Sequence, residues 1–135
     1  MCEAKYTVMI TIRARHLRNM RAGVKRYELR KSRPSRPGPF RVVCCVSGKA
    51  GAVEAEFICR GTPELDVCSD ARIAELGHLS VDEVRGYRKD GTLFGWRVED
   101  FVDYVAEGHV RHCTDFGVNR PPQSWCYVKE AFSDV

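Results

Sequence analysis

The chemistry available to this chain concentrates in Gly23-Val24-Lys25-Arg26-Tyr27-Glu28-Leu29-Arg30-Lys31, where a lysine, a carboxylate and an arginine follow one another at intervals of three and two. Arg meets phosphate through two parallel hydrogen bonds and Lys as a point charge. A glutamate flanked by two cations stays ionised, because opposite charge nearby favours the charged form. Such a carboxylate is a weak general base, but it is a good acceptor for the amino group of a base edge. The plainer reading of the same residues is an exposed ion pair at a strand end, worth little by itself.

The surroundings are strongly basic. Eleven Lys or Arg residues and a single acid, Glu28, lie between Arg13 and Arg41, whereas the remainder carries eleven cations against seventeen acids. Clustered cations displace phosphate counterions, so this segment reads as a surface for RNA or another polyanion; a solvated basic face without a partner is the alternative. Arg13, His16, Tyr27, Arg33 and Arg36 join Lys25, Glu28 and Arg30 as candidate ligand contacts.

Gln123, Ser124 and Trp125 form a second cluster. A serine beside a lysine can act as an activated nucleophile, which makes Lys25, Glu28 and Ser124 the candidate catalytic residues. Gln123 offers a donor and an acceptor to a base edge. Trp125 suits either the core or base stacking. His109-Val110-Arg111-His112-Cys113, followed by Asp115, contains zinc-type ligands but lacks the paired spacing of a zinc site, so it reads as a polar loop and no metal is expected. No glycine-rich phosphate loop of the Walker or dinucleotide type occurs, and no cofactor is expected.

The elements that must hold these residues follow from periodicity. Tyr6 to Ile12 alternates as a strand, and Arg13 to Ala22 reads as a short basic helix ending at Gly23. Tyr27 to Lys31 is a second strand, with Tyr27 and Leu29 on one face and Glu28 and Arg30 on the other. Ser32 to Pro39, with three prolines, is an exposed basic loop that can serve as a flap. Phe40 to Val46 and Ala52 to Cys59 form a hairpin whose first strand is apolar on both faces. Asp70 caps a short turn ending at Gly77, and Ser80 with Glu83 makes a capping box. Leu93 to Val105 returns to strand, broken at Glu99-Asp100, and Ser124 to Val128 is the last strand.

At 135 residues and 44% hydrophobic, the chain is expected to form one domain over residues 1–135. No basic leader with an apolar run opens it and no apolar stretch approaches a membrane span, so the expectation is a cytoplasmic protein without membrane contact. Seven cysteines, four of them inside apolar runs, read as reduced core residues. Nothing indicates the oligomeric state. The irregular order of strands and helices favours an α+β fold with a mixed, mostly antiparallel sheet curling toward a barrel, flanked by two or three short helices.

These residues also resemble a known family. Gly23 to Lys31, directly after a strand and a helix, is similar to the G-x-K-x-x-E-x-R signature of ASCH domains, small relatives of PUA-type β-barrels. Gly95-Trp96-Arg97-Val98 and Arg120-Pro121-Pro122-Gln123-Ser124-Trp125-Cys126-Tyr127-Val128 resemble bacterial and prophage-borne members, so the likeness spans nearly the whole chain. It implies a barrel with a cleft beside the first helix and a role in binding RNA or modified nucleotides. Some members are amidohydrolases that deacetylate N4-acetylcytidine with a Lys and a Thr of the signature strand and a Glu elsewhere; others are ribonucleases. Lys25 is present, but Glu28 occupies the threonine's position, which favours ligand reading over that hydrolysis. A hydrolase acting on RNA or a modified nucleoside is the alternative function, and a protein-interaction module is a third.

Overall fold

In the computed structural model, residues 3–89 and 91–129 are described. Alternating β-branched and apolar residues make Thr7–Ile12 the first strand, β1, which sends Val8, Ile10 and Ile12 to one core and Met9 to another. Ala14–Arg21 follows as helix α1. Its Leu17 and Met20 are buried one turn apart, while Arg15, Arg18 and Arg21 point outward. Strand β2 is Tyr27–Arg30, β3 is Phe40–Val46 and β4 is Ala52–Cys59. Helices α2 (Asp70–Gly77) and α3 (Val81–Arg88) lead to β5 (Phe94–Arg97) and β6 (Glu99–Asp103). A two-residue strand β7 (Arg111–His112), a 3₁₀ turn (Cys113–Phe116) and β8 (Trp125–Tyr127) complete the described elements.

The fold is α+β, with a sheet ordered β6-β4-β3-β1-β8, β7 also pairing with β4. Within it β1 and β3 are parallel and the other pairs antiparallel, so the sheet is mixed and mostly antiparallel as expected. The expected barrel does not close. Strands β2 and β5 form a separate two-stranded sheet, and the gap between sheets is crossed by side chains. Arg30 on β2 donates to the main-chain carbonyls of Thr11 (2.9 Å) and Ser124 (3.2 Å). Trp96 on β5 packs edge-on against Phe40 and Trp125.

Strand β3 is the centre of the molecule, with Val42, Cys44 and Val46 in the core that faces β5, and Val43 and Cys45 in the opposite one. A bulge at Cys44/Cys45 skips Glu54 and reverses the alternation of β4, so Val53 lies in the opposite core from Ala55 and Phe57. A third core, built around Leu29, Ile73, Val84 and Leu93, ties α2 and α3 to the small sheet. Cys44, Cys45, Cys59 and Cys113 are buried free thiols, and burial pushes Cys59 up to about 11.

Local differences from expectation have local causes. Ser69, not Asp70, caps α2 by accepting the Arg72 amide. The capping box of Ser80 and Glu83 is present as read. Glu99-Asp100 lies within β6 as an irregularity of register, with Asp100 at φ 50°, and the interruption falls at Val98 instead. The segment read as a polar loop from His109 contains β7 and the 3₁₀ turn. His112 closes that turn with its own side chain, its Nδ1 accepting the Thr114 amide and its Nε2 lying 2.9 Å from the Ala50 carbonyl oxygen. Among the described residues, no helix is long and apolar enough to cross a membrane.

Candidate nucleotide pocket

A pocket of about 360 Å³ opens between the start of α1, the Glu28/Arg30 face of β2, and α3. Alternation along β2 decides what it contains. Glu28 and Arg30 turn toward it, while Tyr27 packs on the other side against Gly95 and the third core. Lys25 precedes the strand, placed by a tight turn in which its amide and that of Val24 both donate to the Asn19 carbonyl.

Lys25 and Glu28 are almost removed from water, at 3% and 5% exposure. The Lys25 Nζ donates to the Gly77 carbonyl at 2.6 Å and lies 3.6 Å from a Glu28 oxygen. Gly77 ends α2, so the lysine sits at the negative end of that helix's dipole, which offsets part of the cost of burying a cation. Gly77 also needs its lack of a Cβ, which would stand 2.9 Å from Leu29 Cδ1. Burial nonetheless holds the Lys25 ammonium below its ordinary pKa, with Glu28 acting in the opposite direction.

Arg30 is committed to the protein. Its Nε and NH2 bond Glu28 (2.9 and 2.8 Å), NH2 also reaches Thr11, and NH1 donates to the Ser124 carbonyl and hydroxyl (3.2 and 3.3 Å). It holds β2, β1 and the entry to β8 together and keeps few donors for a phosphate. Ser124 is thereby bound to Arg30 rather than to Lys25, and it does not line the pocket.

His16 lines the pocket from α1 with its Nδ1 buried and without a hydrogen-bond partner. Burial, followed by the Lys25 charge, lowers its pKa, so the imidazole is neutral at pH 7. Arg13 and Arg15 stand at the mouth, exposed. Arg15 forms an ion pair with Glu83 on α3, and that contact holds the Glu83 carboxyl down at about 2.

The other candidates gather elsewhere. Arg33 lies over Phe94 and 3.5 Å from Glu64; Arg36 lies over Tyr6. The Trp125 indole donates to the Ser32 hydroxyl at 2.8 Å within a row of rings joining Tyr127, Trp125, Trp96, Phe40 and Tyr6. The proline-rich loop is tied to this row, since Trp96 donates to the Ser32 carbonyl and Tyr6 to that of Arg36; it does not hang over the pocket as a flap. Gln123 is exposed just before β8.

The basic segment is also less naked than its charge count suggests. Arg15, Arg21, Lys25, Arg30, Arg33 and Arg41 all pair with acids, whereas Arg13, Arg18, Arg26 and Lys31 have no acidic partner among the described residues. Thr11, Tyr87 and Glu83 are among the further residues of the pocket wall that were not legible as site residues. The capping-box role of Glu83 was readable, but nothing in the sequence links it to Arg15.

Among solved structures, the chain superposes on a serine-to-alanine mutant of the ASCH protein from Zymomonas mobilis with a TM-score of 0.79 at 14% identity, covering 98% of this chain and 95% of that one. The fold is that of an ASCH domain. A tyrosine-to-phenylalanine mutant (TM-score 0.76, 15% identity, 96% and 95% covered) and the unmutated protein (0.74, 14%, 96% and 92%) agree. No protein-family model matches the chain, and no curated protein does. In this ASCH fold, Lys25, Glu28 and Arg30 of the signature segment meet around the pocket. The aromatic row belongs to the junction between the two sheets.

Proposed function

We propose that this ASCH-fold chain is an RNA-binding module that takes one nucleotide, plain or modified, into the pocket between α1, β2 and α3. The observation that carries the reading is the pairing of a buried carboxylate, Glu28, with a buried ammonium, Lys25, in a pocket of about 360 Å³. That volume is at the small end of ligand sites, roughly 300–1,000 Å³. A base edge presents amino donors beside carbonyl or ring-nitrogen acceptors, which Glu28 and Lys25 complement in turn. The neutral His16 supplies a further partner for the ring, and Arg13 at the mouth meets phosphate. Arg30 acts as a positioning residue that orients Glu28.

The test is binding of single-stranded RNA across a salt series. With most of the local cations already paired, two to four phosphate contacts are expected, a log–log slope of about −1.5 to −3. Lys25→Met, with the fold retained, is expected to lose at least about tenfold in affinity. Binding that ignores both salt and Lys25→Met refutes the proposal.

A hydrolase acting on RNA or on N4-acetylcytidine is the second reading, favoured by one observation: burial lowers the pKa of Lys25 beside an open pocket, and a depressed lysine is a usable base or nucleophile. The hydroxyls nearby are engaged, Thr11 donating to the Pro122 carbonyl at 2.5 Å and Ser124 bonded to Arg30. Turnover of either substrate, followed by mass spectrometry and abolished in Lys25→Met, supports this reading. Unchanged substrates reject it.

A further inference from the structure

The pocket does not end at its α1/α3 wall. On the far side of the Arg15–Glu83 ion pair lies a second, more open hollow of about 470 Å³, lined by Arg15, Asn19, His78, Leu79, Ser80 and Glu83. Arg15, Leu79 and Glu83 face both spaces, so the ion pair is the partition between them. We infer that the two hollows are consecutive subsites for an oligonucleotide: the first base sits over Glu28, the phosphodiester takes Glu83's place on Arg15, and the next base occupies the hollow formed by α1, α2 and α3. This rests on the nucleotide reading of the pocket and adds the minimal ligand, which is a dinucleotide rather than a free nucleoside.

Three features of this region support the exchange. First, Arg30 spends its donors on protein acceptors and the Lys25 ammonium is buried deep in the pocket beside the Gly77 carbonyl and Glu28, so the phosphate must be met at the mouth, where Arg15 touches both spaces. Second, the Arg15–Glu83 pair is solvent-exposed, with side chains 46% and 37% accessible, and exposed pairs are weak and readily traded for a phosphate that an arginine can grip with two hydrogen bonds. Glu83 keeps a second role after release, because its other oxygen accepts the Ser80 amide. Third, the second hollow suits a base. Leu79 gives an apolar surface, His78 an exposed ring, and Asn19 a side-chain amide with no hydrogen bond among the described residues. The remaining acid there, Glu75, is paired with Arg72 at 2.9 Å.

The test compares four ribonucleosides with the sixteen dinucleoside monophosphates by calorimetry, reading the ratio of dinucleotide to nucleoside affinity. For the wild type that ratio is expected to reach at least about ten, from one stacked base and one phosphate contact. Glu83→Gln keeps the capping box, since glutamine serves at that position, but removes the charge that competes for Arg15; it is expected to raise the ratio about threefold. Arg15→Gln is expected to bring the ratio close to one. Nucleoside binding with a wild-type ratio near one, or a high ratio that survives Arg15→Gln, overturns the inference and leaves the nucleotide pocket standing. Failure of every nucleoside and dinucleotide to bind overturns both.

Discussion

Glu28 stands between two buried cations, and removing its charge should cost far more than removing either neighbour's share of the pairing alone would suggest. In Glu28→Gln, Lys25 and Arg30 remain buried with no anion, and breaking a buried pair from one side costs about 3–5 kcal/mol. Lys25→Met leaves Glu28 and Arg30 as a neutral hydrogen-bonded pair and removes a desolvated ammonium. It loses the bond to the Gly77 carbonyl, and the two effects offset to within about 1 kcal/mol. For a domain of this size the unfolding entropy makes 1 kcal/mol worth roughly 3–4 °C in Tm, so Glu28→Gln should melt about 10–18 °C below wild type and Lys25→Met within about 4 °C of it. The assay is thermal and urea denaturation of both variants at pH 7, repeated at pH 9.5. Because the folded-state pKa of Lys25 lies below its unfolded value, the unfolded chain binds more protons between the two. The contribution of Lys25 to stability therefore rises with pH across that window, up to about 10.4, so wild type gains on Lys25→Met there, while the raised pKa of buried thiols such as Cys59 lowers the stability of both proteins alike. Equal melting points for the two variants, or a stability difference between wild type and Lys25→Met that does not grow in favour of wild type as the pH rises, would refute this account of the triad.

Three further outcomes follow from particular contacts. Gly77→Ala forces a Cβ to within 2.9 Å of the buried Leu29 and should destabilise by about 1–3 kcal/mol in urea denaturation, while weakening nucleotide binding through the displaced Gly77 carbonyl. His16, whose folded-state pKa is lowered, withdraws stability as the pH falls through that value; His16→Gln should lose less on acidification from pH 7 to 5, checked by melting curves, and wild type alone should bind an anionic ligand more tightly at the lower pH. Trp125→Phe removes the hydrogen bond to Ser32 and should cost about 0.5–1.5 kcal/mol in stability with less than a threefold change in RNA affinity. A tenfold loss of RNA affinity instead would move the base-binding surface to the aromatic row.

Much of the architecture was written locally. The two-residue period of Thr7–Ile12 and Ala52–Cys59, the apolar run of Phe40–Val46 and the Ser80/Glu83 capping box are short-range signals, and each element formed where the pattern put it. The same alternation put Glu28 and Arg30 on one face of β2, opposite Tyr27. Two features depended on contacts distant in sequence. Closure of the barrel was decided by Arg30 and Trp96, which bridge the two sheets with side chains instead of a strand ladder. The character of the basic segment was decided by acids such as Glu56, Glu83 and Asp103, which neutralise Arg41, Arg15 and Arg21 from far along the chain.

By itself the sequence determined which residue types stand together around Lys25, Glu28 and Arg30, because spacing on a turn and a strand is a local property. Tertiary structure alone decided what each does. The end of α2 delivers the Gly77 carbonyl to Lys25, and β1 with the entry to β8 consumes the donors of Arg30. Burial and partner geometry convert a run of like charges into one enclosed site, and both arise from chain segments that periodicity cannot connect.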